Sequence, residues 1–190
     1  MAMVPSKPLA TLTSLPAIAI GASTGMILAG ALAVIAGSYA HAVVHDQLAP
    51  QKIRFAPAGT SQLPRQIERY ANRQVLDGAT AKVFADQYIA VYLKELGHGR
   101  TYTQVSQEAL AEPSNAALAK ESQTLFQGEA LRGLLLQAWG WGEVGTIALI
   151  AGWVLIVLGL ALLLPLLLSL LINRPRAASS PRGVPAEGGV

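Results

Sequence analysis

Two long runs without a charged residue constrain this 190-residue chain more than any other feature. They cover residues 16–40 and 144–172, and about one hundred mostly polar residues lie between them. A helix needs roughly 20 apolar residues to cross a bilayer, and lipid leaves no backbone polar group unpaired. The predicted fold class is therefore an all-α membrane protein, with two transmembrane helices flanking an extracytoplasmic helical domain.

The two runs divide the chain into five segments. These are an N-terminal tail (1–15), a first transmembrane helix (16–40), a helical domain (41–142), a second transmembrane helix (143–172) and a basic, disordered tail (173–190). The second run is longer than the hydrocarbon core is thick. We therefore expect it to tilt, or to bend at Pro165, whose ring removes a helical hydrogen bond.

A cleavable signal peptide is the alternative interpretation of the first run. Ser38-Tyr39-Ala40 and Ala40-His41-Ala42 both resemble small-residue cleavage sites. The run is longer than the usual signal-peptide core of about 7–15 apolar residues, and Lys7 is the only basic residue before it. An uncleaved transmembrane helix is the favoured interpretation.

The short flanks of the runs predict the orientation. The two tails together carry four basic residues and one acidic residue: Lys7, Arg174, Arg176, Arg182 and Glu187. Basic flanks stay in the cytoplasm, whereas a long central segment crosses largely regardless of its charge. We expect a multi-pass protein of the plasma membrane with both termini cytoplasmic.

The central domain has the composition of a helical bundle. We expect helices over residues 64–76, from a cap at Asp77 or Thr80 to Gly97, from Thr101 to near Pro113, and from a cap at Ser114 toward the membrane. Gly140 and Gly142 allow a break before the second run, and a continuous helix is the alternative. Phe84, Tyr88 and Tyr92 recur at helical spacing and are expected in the core, on which Ile53 and Phe55 could pack.

The charge pattern excludes several classes of function. Residues 46–137 carry ten basic and nine acidic side chains without a basic stripe, so nucleic acid is not expected as a partner. No nucleophile elbow, phosphate loop or acid–base pair stands out. The chain is predicted to be non-enzymatic and to use no cofactor.

Two histidines form the one chemical constellation in the sequence. His41 and His45 are four residues apart, which places both imidazoles on one helix face at a spacing that metal ligands use. A zinc peptidase would have Glu after the first histidine, where this chain has Ala42. Polar residues at the level of the lipid head groups are the favoured interpretation, and a metal site is the alternative.

Small residues in the two runs predict helix-packing surfaces. The first run has a four-residue series: Gly21, Gly25, Ala29, Ala33 and Gly37. The second has Gly145, Gly152 and Gly159 seven residues apart, with Ala148 beside them. Steps of four favour a right-handed crossing and steps of seven a left-handed one. We therefore expect one surface to pair within the chain and the other to meet a second copy or another membrane protein.

Short motifs resemble a group of small actinobacterial-type two-span membrane proteins of unknown function. They are His45-Asp46-Gln47-Leu48, Ala85-Asp86-Gln87-Tyr88-Ile89 and Gly99-Arg100-Thr101-Tyr102, followed by a terminal span. The resemblance implies the same two-span topology over about residues 18–172. Some relatives carry a label of aromatic-ring-opening dioxygenase, but a site of two histidines and one carboxylate in a cytoplasmic cleft is not expected here, because the central domain is predicted to be outside the cytoplasm.

The function expected from these features is protein binding in a membrane. The chain would be an accessory subunit of a membrane complex, respiratory or transport assemblies included, or a homo-oligomer. One alternative is an extracytoplasmic ligand sensor that signals through a partner. The other is a metal-binding protein that uses His41 and His45.

Overall fold

The computed structural model describes residues 14–172, and the regular secondary structure in that part of the chain is entirely helical. The α-helices are α1 (Ser14–Leu48), α2 (Gly78–Val83), α3 (Ala90–Leu96), α4 (Tyr102–Ala111) and α5 (Ala116–Ile172). Short 3-10 helices cover Ala49–Gln51 and Arg65–Tyr70, and a π-helical stretch, Phe84–Ile89, joins α2 to α3. The all-helical fold class is confirmed. The predictions for the two tails fall on residues outside the described range, apart from the first turn of α1.

The helix α5 is one continuous element of 57 residues, about 85 Å long at ~1.5 Å per residue. It unites the predicted fourth helix of the central domain with the second uncharged run. Gly140, Gly142 and Pro165 all lie inside it, so the helix has no break at the glycines and continues beyond the proline. The helix α1, with 35 residues, likewise runs eight residues beyond position 40.

The helices α1 and α5 lie antiparallel along a line of small residues. In α1 the buried positions of the uncharged run are Ser23, Gly30 and Gly37, which are seven residues apart. They face Gly159, Gly152 and Gly145 of α5 in that order. We call these six residues the seam. A step of seven falls only about 20° short of two turns, so such a series stays on one helix face.

The backbones touch along the seam. A Cβ atom built on Gly30 would lie 2.6 Å from the Gly152 carbonyl oxygen, and one built on Gly37 would lie 2.6 Å from the Gly145 carbonyl oxygen. A Cβ on Gly159 would lie 2.9 Å from the Ser23 carbonyl oxygen. Real Cβ atoms cannot come that close to backbone atoms, so only glycine fits these positions at this helix separation.

The central domain packs on the half of α5 that precedes the uncharged run. The continuous helix over residues 78–96 starts where Gly78 and Gly142 meet, since a Cβ on Gly78 would lie 3.3 Å from the Gly142 Cα. Further along, a Cβ on Gly128 would overlap the Leu93 side chain. Gly142 and Gly128 of α5 thus allow the neighbouring helix to pack closely at both ends of the contact.

Aromatic side chains fill the core between this helix and the loop that follows α1. Phe55 is 2% exposed, and its ring centroid is 4.9 Å from that of Phe84 and 5.3 Å from that of Tyr70. Phe84 in turn lies 4.7 Å from Tyr88. The expectation that Phe55 packs back on the helices is confirmed. Tyr92, which was expected in the core, is 55% exposed because it lies on the outward side of the helix.

Two of the predicted helix caps are observed, and a third is shifted by one residue. Asp77 and Thr101 each accept a hydrogen bond in a capping box, from Thr80 N and Gln104 N respectively. The fourth cap is Asn115 rather than Ser114, because Asn115 Oδ1 accepts from Leu118 N at 3.1 Å.

The prediction of a helix over residues 64–76 is wrong. Only Arg65–Tyr70 is helical, as a 3-10 helix, and Asn72 then adopts a positive φ of 60°. The chain beyond it turns back to form an antiparallel bridge between Arg54 and Gln74. Pairing with the loop after α1 therefore outweighs local helix propensity in this segment.

We expect Gly30→Ala to lower the free energy of unfolding in detergent by about 1–3 kcal/mol, because the added methyl group forces α1 and α5 apart. Gly21→Ala is the matched control, since a Cβ there meets nothing within 4 Å. Alanine also has a higher helix propensity than glycine at both sites, so the control substitution should be neutral or stabilising. Equal effects of the two substitutions would contradict the packing described for the seam.

Candidate functional site

The face of α1 turned away from α5 carries small residues with no neighbour. Gly21 and Gly25 have nothing within 4 Å of a built Cβ. Ala29 is exposed, whereas Ala33, which is closer to the seam and outside this surface, is half-buried. Leu28 and Leu32 beside them are 60% and 68% exposed. This surface, which we call the free face, is apolar and unpartnered within residues 14–172.

Helix geometry explains why the four-residue series does not match α5 as a whole. Each step of four advances about 40° around the helix, so four steps rotate the series by about 160°. It therefore starts nearly opposite α5 at Gly21 and reaches the seam only at its last member, Gly37. The partner of the seven-residue series in α5 is instead the seven-residue series Ser23, Gly30 and Gly37, which was not predicted from the sequence. Ala148, beside the α5 series, is half-buried.

The apolar parts of α1 and α5 are mostly uncovered. Both helices are long and apolar enough to cross a membrane by length and composition, and only 11% of the most apolar 18-residue window of each is buried. A core helix of a soluble protein would be mostly buried. The surface thus exposed includes Ile150, Val157 and Leu164 on α5.

His41 and His45 have different partners. His41 is half-buried against α5, where its Nε2 lies 3.3 Å from Thr146 Oγ1. His45 is exposed, and its Nδ1 lies 3.4 Å from Asp46 Oδ1. No cluster of three or more His, Cys, Asp or Glu side chains that could hold a metal occurs in residues 14–172. Metal binding by this pair stays a prediction without a third ligand to support it.

A charged cluster joins the π-helical stretch to α5. Asp86 accepts hydrogen bonds from Lys82 Nζ and from Arg132 Nη2, each at 3.2 Å. Partial burial raises the pKa of the Asp86 carboxyl. Hydrogen bonds from Lys82 and Arg132, together with their positive charges, outweigh burial and hold the pKa below its usual value. The Lys82 ammonium also lies 3.8 Å from the centroid of the Trp139 ring. The cluster therefore fixes the central domain to α5.

A groove of about 1030 Å³ opens between α1 and α5 where the uncharged runs end. Tyr39 and Val43 of α1 line it, together with Leu134 and Trp141 of α5 and Ile53 of the following loop. Most of its wall is apolar, and Asp46 is the one charged residue that lines it. We call it the basal groove, because it lies at the end of the central domain next to the uncharged runs.

The loop after α1 carries an excess of positive charge. Residues 52–73 contain five basic residues and one acidic residue, all exposed: Lys52, Arg54, Arg65, Arg69, Arg73 and Glu68. Within the described chain none of the five forms an ion pair with a carboxylate. Their charge is therefore not neutralised by a carboxylate of the described residues.

Comparison with known proteins adds no relative. No protein-family model, no curated protein and no solved structure matches the chain.

The lowered pKa of Asp86 predicts a pH-dependent contribution to stability. A carboxyl whose pKa is lower in the folded than in the unfolded chain stabilises the fold above the unfolded pKa, about 3.9 for Asp. That contribution is lost as the pH falls through the folded pKa. We expect Asp86→Asn to be less stable than the parent protein at pH 7, by on the order of 1 kcal/mol for a partly exposed group. This difference should vanish toward pH 2.

Denaturant unfolding in detergent at several pH values measures this difference. Glu95→Gln is the control, because Glu95 is exposed and makes no ion pair with the residues described. Its difference from the parent should stay small at every pH. A difference for Asp86→Asn that is constant from pH 7 to pH 2 would rule out the ionised carboxylate as its source.

Proposed function

We propose that the chain is a non-enzymatic two-span membrane protein that binds another membrane protein, or a second copy of itself, through the free face of α1. Its termini lie in the cytoplasm and its central domain on the opposite side of the membrane. The length and exposure of the apolar parts of α1 and α5 support insertion into a membrane, since exposing so much apolar surface to water is unfavourable.

The observation that carries the binding proposal is the free face itself. Lipid tails are as apolar as leucine, so helices in a bilayer associate by close packing, for which small residues are needed. The seam is already occupied within the chain, whereas Gly21 and Gly25 have open space in front of them. A four-residue step of small residues at such a position is the arrangement that lets a second helix approach.

The central domain suits a role as a structural subunit. It is attached to α5 by aromatic packing, by the close contact of Gly78 with Gly142 and by the Asp86 cluster. The chain would therefore act as an accessory subunit of a membrane complex, such as a respiratory or transport assembly, or as a homo-oligomer.

Combining Gly25→Leu with Ala29→Leu should weaken the assembly, because large side chains hold a second helix away from α1. Native gel electrophoresis and chemical cross-linking in mild detergent would show the loss of the larger species. The control combines Ala151→Leu with Ala161→Leu, which enlarges two exposed alanines on α5 instead. An assembly that survives the α1 pair at normal expression would refute binding through the free face.

The topology can be tested with introduced cysteines, because the chain contains none. A membrane-impermeant maleimide added to intact cells should label Glu95→Cys, which is exposed in the central domain. It should label Ser180→Cys in the C-terminal tail only after the cells are opened. The reverse pattern would invert the orientation, and labelling of both sites in intact cells would contradict two spans.

A further inference from the structure

The basal groove lies where a bilayer would meet the central domain. This inference rests on the proposed insertion of α1 and α5. Ala36 and Tyr39 on α1 and Trp141 and Ala148 on α5 line the groove, so its walls begin inside the uncharged runs and continue beyond them. Tyr and Trp concentrate at membrane–water interfaces. The groove is thus continuous with surfaces that lipid would cover, and it extends above them.

Two basic residues are next in the chain to residues that line the groove. Lys52 is exposed and lies between Gln51 and Ile53, both of which line the groove. Arg54 follows Ile53, and its side chain is held in place, since its Nη1 donates to the Asn72 carbonyl oxygen at 3.1 Å and its Nη2 to Gln74 Oε1 at 3.4 Å. Gln74 Nε2 in turn donates to the Ala49 carbonyl oxygen at 2.8 Å, which anchors this arrangement to the end of α1.

We propose that the basal groove holds an acyl chain of an anionic phospholipid from the surrounding bilayer, with the lipid phosphate at Lys52 and Arg54. The groove volume of about 1030 Å³ is at the upper end of ligand pockets, roughly 300–1,000 Å³, and suits a long apolar occupant. Its mostly apolar wall matches the acyl chain, and the two cations match the phosphate. Because Asp46 also lines the groove, the phosphate is placed beside Lys52 and Arg54 and the uncharged acyl chain along the groove wall.

Native mass spectrometry of the full chain tests the proposal. The protein is reconstituted in nanodiscs of equal phosphatidylglycerol and phosphatidylcholine and then released. The parent protein should retain phosphatidylglycerol preferentially. Lys52→Gln combined with Arg54→Gln should reduce that retention about 20- to 30-fold, since each basic residue near an anionic surface contributes about fivefold. Arg65→Gln with Arg69→Gln removes the same charge from the same loop but not beside the groove, and should leave retention nearly unchanged.

Filling the groove tests the acyl-chain half separately. Ala36→Phe places a ring in the groove and should abolish retention of both lipids. Ala42→Phe is the control, because Ala42 is exposed on the same helix but does not line the groove. Circular dichroism verifies that both variants keep their helix content.

Three results would overturn the lipid proposal. They are equal retention of the two lipids by the parent, equal loss of retention in the Lys52/Arg54 and Arg65/Arg69 double variants, and a groove closed by a second copy of the chain in cross-linking. Release of the parent protein from membranes by alkaline carbonate would instead refute insertion itself, so the two failures are distinguishable.

Discussion

The close approach of the α1 and α5 backbones is the constraint on which the rest of the structure depends. Because glycine carbonyls and Cα atoms meet at Gly30–Gly152 and Gly37–Gly145, the helices can neither separate nor slide without losing contact at every step of seven. That register places the end of α1 beside the part of α5 on which the central domain packs. The basal groove follows from it, because the groove is the space left where the seam ends and side chains become larger.

Much of the fold was predictable because its determinants are local. The two apolar runs, the caps at Asp77 and Thr101 and the stop at Gly97 all depend on neighbouring residues. The extent of α5 was left open, because Gly140 and Gly142 are equally consistent with a helix break and with a close helix contact. The contact of Gly142 with Gly78, 64 positions away in the sequence, decides between them. The same applies to residues 64–76, whose pairing partner Arg54 lies outside the segment.

The candidate sites were less predictable than the fold for the same physical reason. Gly37 belongs to both a four-residue and a seven-residue series, and the sequence alone does not say which series faces α5. Ser23 carries a hydroxyl group, so it does not stand out in the sequence as a small packing residue. The Asp86–Arg132 contact spans 46 residues, and the basal groove combines positions near 40, 50 and 140. Such sites arise only when distant segments have been brought together.

The continuity of α5 has a mechanical consequence. From Gly142 to its first residue, Ala116, the helix extends about 40 Å from the end of the uncharged run. With neither a glycine break nor a loop in between, this length acts as a stiff lever. A change of about 10° in helix tilt, well within the range seen for membrane helices, would displace its far end by about 7 Å. If α5 crosses a bilayer as proposed, a change in bilayer thickness or in the packing of a neighbouring helix would therefore move the tip of the central domain.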